Sequence, residues 1–326
     1  MKIYRDSRLK DTDTLKAIIK NIQATYTKAD VIKYDSYHEI SPFCNIWELW
    51  NLNLTSYKAN ILDIRNNFLF LKKWSNLIVD DFHWGGFQSM GVWRERWYQV
   101  FNVKIWQNCN LGCKYCYLLD SNKLNPELTI YCNVKEEVTK FLEDFWKEKK
   151  MVLNIGEYTD TFLFDDFTKY TAFFRKLLDE YPNLIIEART KLSRFKVRFH
   201  PHERFVVGFS VSINPFDNFW KKEQIMKKLD FIKTFADSWY KVALKFDPIT
   251  WMENYDEDFF QKVYAIKSEN LDHYSLWTLR FSEWLKSIME KVYDTKINTQ
   301  LFSFENGKYV YSYRDKVHDF FIKKLE

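Results

Sequence analysis

The sequence predicts an α/β fold, a partial (β/α)6 TIM-like barrel with an N-terminal extension and a C-terminal hairpin or tail. Three observations carry this expectation. From about residue 100, short β-rich runs alternate with segments of helical period, and such alternation implies a parallel sheet with right-handed crossovers. The strand runs are almost continuously apolar, as in a sheet covered on at least one face. Residues 1–98 lack the alternation and read as an extension packed on the barrel.

In chain order, 13–24 has helical character and 67–71 (NFLFL) reads as a short strand. The barrel strands are expected at 100–107, 151–157, 184–190, 205–212, 240–248 and 274–282. Between them, Val134, Val138, Phe141 and Phe145 are spaced 4, 3 and 4 apart, and Phe167, Tyr170, Phe174 and Leu177 are spaced 3, 4 and 3. Ile225, Leu229, Ile232 and Ala236 repeat the first pattern. Each set lays one apolar stripe along a helix. Asp165 or Asp166 is placed to cap the second helix. The connection 191–204 has the weakest helical pattern. The expected organisation is 1–98 as extension, 99–295 as core and 296–326 as tail, with no linker and no solenoid repeat. In such folds chemistry sits at the C-terminal ends of the strands. Here those ends are 107–118, 156–160, 189–191, 212–214, 247–250 and 280–282.

Composition sets the outer limits. Of 326 residues, 46% are hydrophobic and 19% aromatic, enough for a large core, and only 7 Gly and 6 Pro argue against low complexity. The net charge of +5 permits a polyanionic partner without requiring one. The first residues, MKIYRDSRLKDTD, carry charges and no apolar run of the signal-peptide kind. No stretch of 18 apolar residues suggests a membrane span. The expectation is a cytoplasmic monomer, where five cysteines are not a disulfide framework. Three of them fall within eight residues, which points to metal.

That segment reads Cys109-Asn-Leu-Gly-Cys113-Lys-Tyr-Cys116-Tyr-Leu, directly after the first barrel strand. Three thiolates on one tight loop can ligate three irons of a cubane [4Fe-4S] cluster and leave the fourth open to a small chelating molecule. A closed zinc site would want a fourth Cys or His nearby. Cys132 lies too far along for the same loop, although folding could return it.

The spacing C-x3-C-x2-C, with the aromatic Tyr115 before the last cysteine, resembles the signature of the radical S-adenosylmethionine superfamily. The resemblance implies that the open iron binds the amino and carboxylate groups of S-adenosylmethionine. Electron transfer then releases a 5′-deoxyadenosyl radical, the cofactor carrying the hard chemistry. The resemblance also implies an external electron donor such as flavodoxin or ferredoxin.

From about residue 80 onward the chain resembles one branch, the spore photoproduct lyases. The matches are short but ordered: Cys113-Lys-Tyr-Cys116-Tyr117-Leu118, Tyr131-Cys132-Asn133, Thr159-Asp160, Thr190-Lys191, Ser212-Ile213-Asn214, Asp247-Pro248-Ile249, Thr278-Leu-Arg280-Phe281 and Gly307-Lys308-Tyr309-Val310-Tyr311. The resemblance implies that Lys191 binds the carboxylate of S-adenosylmethionine, a charge-assisted contact. Ser212 would bond the methionine end or the ribose, with Asn214 beside it, and Tyr115 would lie against the adenine. Gly156-Glu157 matches the superfamily's GE step, whose backbone or carboxylate accepts from the methionine amino group. Without that context, Lys191 reads as a surface residue and Ser212 and Asn214 as strand-end caps.

One departure matters. The resembled lyases carry a hydrogen-donating cysteine three residues before the Asp, and here that position is Glu157. A carboxylic acid does not replace the weak S–H bond. Cys132 is a candidate replacement donor, although a lone cysteine is more often a small buried hydrophobe. Tyr117 is a candidate radical relay by the same analogy, and an ordinary packed aromatic otherwise.

Several other features stay open. His200 and His202 flank Pro201 with no third metal ligand in view. Trp84-Gly85-Gly86, Trp93-Arg-Glu-Arg96-Trp97 and the tail with Lys308, Arg314 and Lys316 mix aromatics with bases. Such mixtures stack bases and touch phosphates, or simply seal an interface. In the resembled family the tail forms a hairpin that reaches the DNA lesion. Cys44 reads as structural. The leading expectation is hydrogen abstraction from DNA or RNA, in repair or base modification. The alternatives are a radical enzyme acting on a peptide or small metabolite, and a non-catalytic iron–sulfur protein.

Overall fold

A computed structural model of the chain describes residues 2–27, 29–34, 68–80, 91–118, 127–145, 149–214, 221–291 and 296–326. Cys44 and Trp84-Gly85-Gly86 lie outside them. The chain begins with β1 (Lys2–Asp6), α1 (Asp13–Thr25), β2 (Asp30–Tyr34), β3 (Phe68–Lys72), β4 (Ile78–Asp80) and α2 (Gly91–Glu95). Next come β5 (Gln99–Val103), β6 (Trp106–Gln107), β7 (Thr129–Tyr131), α3 (Val134–Asp144), β8 (Met151–Asn154), α4 (Asp165–Thr168) and α5 (Tyr170–Glu180). They are followed by β9 (Leu184–Thr190), β10 (Phe205–Ser210), α6 (Lys222–Asp237), β11 (Lys241–Ile249), α7 (Glu257–Tyr264) and β12 (Leu271–Thr278). The chain ends with β13 (Arg280–Ser282), α8 (Glu283–Lys291), β14 (Phe302–Glu305), β15 (Lys308–Tyr311) and α9 (Arg314–Leu325).

The barrel is a seven-stranded sheet in the order β12-β11-β10-β9-β8-β5-β4. The six expected strands β5 and β8 to β12 pair in parallel, and β4 adds an antiparallel edge on β5. Strands β8 and β10 are buried at every position, which explains their continuous apolar runs. The expected run 100–107 is split, since β6 leaves the barrel for a second sheet. No helix forms between β9 and β10. There the rings of Phe195 and Phe199 cover the sheet instead, stacking on Phe162 at 3.8 Å and Phe205 at 4.3 Å. The helix expected around 167–177 is broken at Lys169, whose φ is 55°. Asp165 nevertheless caps the second piece, accepting from Thr171 N at 2.9 Å.

The N-terminal residues do more than rest on the barrel. A second sheet runs β2-β1-β3-β7-β6, with β3 parallel to β7. Hydrogen bonds therefore cross residue 98 in both sheets, β3 to β7 and β4 to β5. The expected helix at 13–24 is α1, opened by Thr12, whose hydroxyl accepts from Leu15 N at 3.2 Å. It buries Leu15, Ile18 and Ile22.

The C-terminal hairpin is β14–β15, which β13 extends to three antiparallel strands. Its turn is Asn306-Gly307, with φ of 49° and 76°. Two consecutive positive φ values define the hairpin turn that Asn-Gly favours. Helix α9 then docks Phe321 against Phe246 and Tyr255 at 5.1 and 4.8 Å between ring centroids. No helix among the described residues is long and apolar enough to cross a membrane.

Inside the barrel the strands carry charge where hydrocarbon would be cheaper to bury. Glu187 on β9 pairs with Arg189 Nε at 3.0 Å and Lys245 Nζ on β11 at 2.8 Å, and accepts from Trp93 Nε1. Lys245 Nζ meets His273 Nε2 at 2.6 Å, and His273 Nδ1 meets Asp272 at 2.7 Å. Arg96 reaches Asp272 at 3.0 Å. Gly208 makes room for this chain, since a Cβ there would lie 3.0 Å from Lys245 Cε. Burial alone would raise the pKa of Glu187, but Lys245, Arg189 and His273 outweigh it and hold the carboxyl well below its usual range. Burial, with Lys245 beside it, lowers the pKa of His273.

These groups set two expectations. Glu187→Ala leaves buried Lys245 without its paired carboxylate and Arg189 with Glu157 alone, and should cost about 3–5 kcal/mol in denaturant unfolding. A depressed histidine pKa means that the unfolded chain binds the proton first, so His273 withdraws stability as pH falls below about 6.5. Glu187 adds a further loss below about 4.3, where the unfolded carboxyl protonates and the native one does not. The thermal midpoint should therefore fall continuously on acidification, and a midpoint constant from pH 7 to 4 would contradict this account.

Candidate active site

A cavity of about 200 Å³ opens at the C-terminal ends of the strands. Cys109, Cys113, Cys116, Tyr115, Tyr117, Gly156, Glu157 and Lys191 all line it. These residues come from the loop after β6, the turn after β8 and the end of β9. The strand-end rule therefore locates most of the wall.

The cysteine loop is held open by its backbone. Asn108 and Gly112 take positive φ of 66° and 70°. Asn108 Nδ2 donates to Glu127 O at 2.7 Å, while Asn108 O accepts from Thr159 Oγ1 at 2.8 Å. Leu111 N donates to Cys109 Sγ at 3.3 Å and Cys116 N to Cys113 O at 3.2 Å. None of Cys109, Cys113, Cys116 and Cys132 is in a disulfide. Burial pushes the Cys109 thiol well up, with Asp160 and Cys113 adding to the effect. Among the described residues no three His, Cys, Asp or Glu gather around a single point as one metal ion would need. A cubane asks for something else, one thiolate on each of three irons, with N–H donors toward the sulfurs tuning it. Three thiols on one cavity wall, an N–H directed at Cys109 and a lysine opposite are a donor set that fits such a cluster.

Lys191 faces this loop. Its Nζ lies 3.4 Å from Tyr115 Oη and 4.5 Å from the ring centroid. Burial opposes its charge, but Tyr115, Cys113, Cys116 and Asp247 together hold its pKa well above the usual lysine value. Gly156 passes close against β9, where a Cβ would come within 2.6 Å of Arg189 N and Cβ. Glu157 is engaged at both carboxylate oxygens. Oε1 accepts from Tyr117 Oη at 3.2 Å, while Oε2 accepts from Arg189 Nη1 at 2.7 Å and Asn154 Nδ2 at 3.2 Å. The Glu157 carbonyl also takes the Tyr117 hydroxyl, at 2.5 Å.

Three residues singled out in the sequence lie elsewhere. Ser212 and Asn214 are fully buried and do not line the cavity. The reason is that β10 ends at Ser210, two residues earlier than its apolar run suggests. Gly208 and Ser210 occupy the wall in their place, and Ile213 N turns away to donate to Tyr255 Oη at 3.0 Å. Cys132 follows β7 in the second sheet, where its thiol contacts Ile130 O at 3.9 Å. Burial, with Glu136 nearby, pushes its pKa up to about 12, as expected of a small buried hydrophobe.

The open features also resolve. Trp93 seals the base of the barrel against Glu187, whereas Trp97 is 86% exposed. His202 Nδ1 accepts from Arg204 N at 3.0 Å within its own loop. Lys308 lines the cavity, Arg314 pairs with Glu305 at 3.4 Å, and Lys316 lies over the Tyr313 ring at 5.3 Å. Arg280, stacked on Trp277 at 4.5 Å, and Lys245 also reach the wall. Neither was singled out as a site residue, and only the strand-end position of Arg280 hinted at it.

An open parallel barrel with a cysteine-lined cavity at its strand ends is thus the architecture. It is the fold of spore photoproduct lyase. A substituted form of that enzyme "with bound AdoMet and dinucleoside spore photoproduct" superposes with a TM-score of 0.74 at 15% identity, covering 100% of this chain and 95% of the other. The structure "complexed with dinucleoside spore photoproduct" gives the same values, and a form with one substitution gives 0.73 at 14%. No family model and no curated protein sequence matches the chain.

The close approach at Gly156 gives a direct test of the wall. Gly156→Ala must displace the β9 backbone, and should cost about 1–3 kcal/mol of stability as an overpacked core does. Thermal or denaturant unfolding measures it.

Proposed function

We propose that this chain is a radical S-adenosylmethionine enzyme that abstracts a hydrogen atom from a nucleic-acid substrate. The observation that carries the reading is the convergence of Cys109, Cys113, Cys116 and Lys191 on one cavity, in a fold shared with a lyase seen with AdoMet and a dinucleoside. Bound there, a [4Fe-4S] cluster and S-adenosylmethionine would supply the radical chemistry, with an external one-electron donor of the flavodoxin or ferredoxin kind.

The chain's own residues do the holding. The three cysteines ligate the cluster. The Lys191 ammonium binds the methionine carboxylate, and Tyr115 offers its ring to the adenine. Gly156 lets the turn after β8 pack directly against β9 beside Arg189, which fixes that part of the cavity wall. Glu157, bonded at both oxygens, orients Tyr117 and leaves that hydroxyl as the relay candidate on the cavity wall. Cys132 takes no part, and Ser210 and Ser275 are the serines that line the cavity. Arg280, stacked on Trp277, and Lys308 give the cavity a basic and aromatic rim. Such a rim supports contact with bases and phosphates. Glu157 in place of a thiol favours a second reading, in which the same chemistry serves a peptide or small metabolite.

Anaerobically reconstituted protein should show iron–sulfur absorbance and form 5′-deoxyadenosine on reduction. Cys113→Ala should drop that product to background, whereas Cys132→Ala should retain it and lose only about 1 kcal/mol of stability. Zinc in place of iron, or equal turnover by Cys113→Ala, would sink the reading. Oligonucleotide binding at low salt separates the two substrate classes, because phosphate contacts are strongest there.

A further inference from the structure

A second lysine stands behind the cavity. Lys228 lies on α6 between Ile225 and Leu229, on the stripe that faces the core, and is 0% exposed. Its Nζ donates to the carbonyl of Lys191 at 3.0 Å. On the other side of the same residue, Lys191 N donates to Asp160 Oδ2 at 2.5 Å. The Lys191 main chain is therefore clamped from two directions, by an amine donor from a helix and a carboxylate from the turn after β8. From that clamp its side chain extends over Tyr115.

Packing alone does not account for Lys228. Leucine or methionine would fill the stripe without the penalty of a buried amine. Burial lowers the pKa of Lys228 to about 7, with Asp160 opposing the shift and Lys191 adding to it. A group retained at that cost and bonded to a cavity residue has its use in holding that residue.

We propose that Lys228 is a positioning residue for the carboxylate end of S-adenosylmethionine, acting through the main chain of Lys191. The inference rests on the cofactor assignment above and extends it to a residue outside the cavity. It predicts a loss confined to ligands that carry the amino-acid group. A lysine that served only the core would affect every ligand equally, or none.

Equilibrium dialysis on the reconstituted full chain tests this with two probes. S-adenosylhomocysteine carries the carboxylate, and 5′-methylthioadenosine has the same nucleoside without it. Lys228→Met should weaken S-adenosylhomocysteine by about tenfold and leave methylthioadenosine within about twofold. Lys228→Arg, which keeps a cationic donor, should recover most of the loss. Lys228→Gln is uncharged and one bond too short to keep the contact with the Lys191 carbonyl, and serves as the second neutral variant should the Met form fail to fold. The same selective weakening is expected of it. Parental affinity for both probes in a folded neutral variant, or equal loss of both, would overturn the proposal. Failure of the parent to bind either probe would instead remove the cofactor assignment on which it stands.

Discussion

Asp160 is the point at which three strands become one site. Its carboxylate accepts from Lys191 N and Thr190 Oγ1 at the end of β9 and from Phe162 N in its own turn. Its carbonyl accepts from Trp106 Nε1 on β6, just before the cysteine loop. The strand ends of a parallel sheet splay and expose unpaired backbone groups. A buried carboxylate that collects several of those donors fixes the spacing between the cysteine loop and Lys191 more firmly than hydrocarbon packing would. Asp160 contributes to a site whose visible members are other residues.

The molecule thus carries two kinds of polar interior. One is the Asp160 and Lys228 clamp, local and mostly directed at backbone. The other is the Glu187, Arg189, Lys245 and His273 chain, which runs from Asp272 near the base of the barrel to the cavity wall. Arg189 joins that chain to Glu157 and so to Tyr117. Arg189, Glu157 and Tyr117 are consequently held in place, because they continue a bonded series anchored deep in the sheet. Preorganisation of this kind fits the radical chemistry proposed for this cavity.

Much of this was legible in the residues. Continuous apolar runs and the 3-and-4 spacing of helix stripes mark the six barrel strands and α3 and α6, because those patterns follow directly from burial. The cysteine spacing and the strand-end rule mark most of the cavity wall. What escaped has physical reasons. Strands β1 and β2 are short and partly polar, so periodicity does not separate them from loop, and β3, the other partner of β1, lies far away in sequence. The end of β10 was misplaced because its apolar run continues past the last ladder bond, which moved attention from Ser210 to Ser212. Lys228 sits where a helix stripe is otherwise apolar, and a lysine there reads as a solvated edge until the fold shows what it touches. Phe195 and Phe199 replace a helix, and ring-against-sheet packing has no sequence period.

The hairpin closed by Asn306 and Gly307 has a consequence for how such a protein can change. It brings Lys308 to the cavity, yet it belongs to the small antiparallel sheet, whereas the cysteine loop follows β6 in another sheet. A lineage could lengthen, recharge or exchange that flap while the inner apparatus stayed as it was. Under the reading proposed above, the choice of what enters would lie on a part of the chain separate from the cysteine loop.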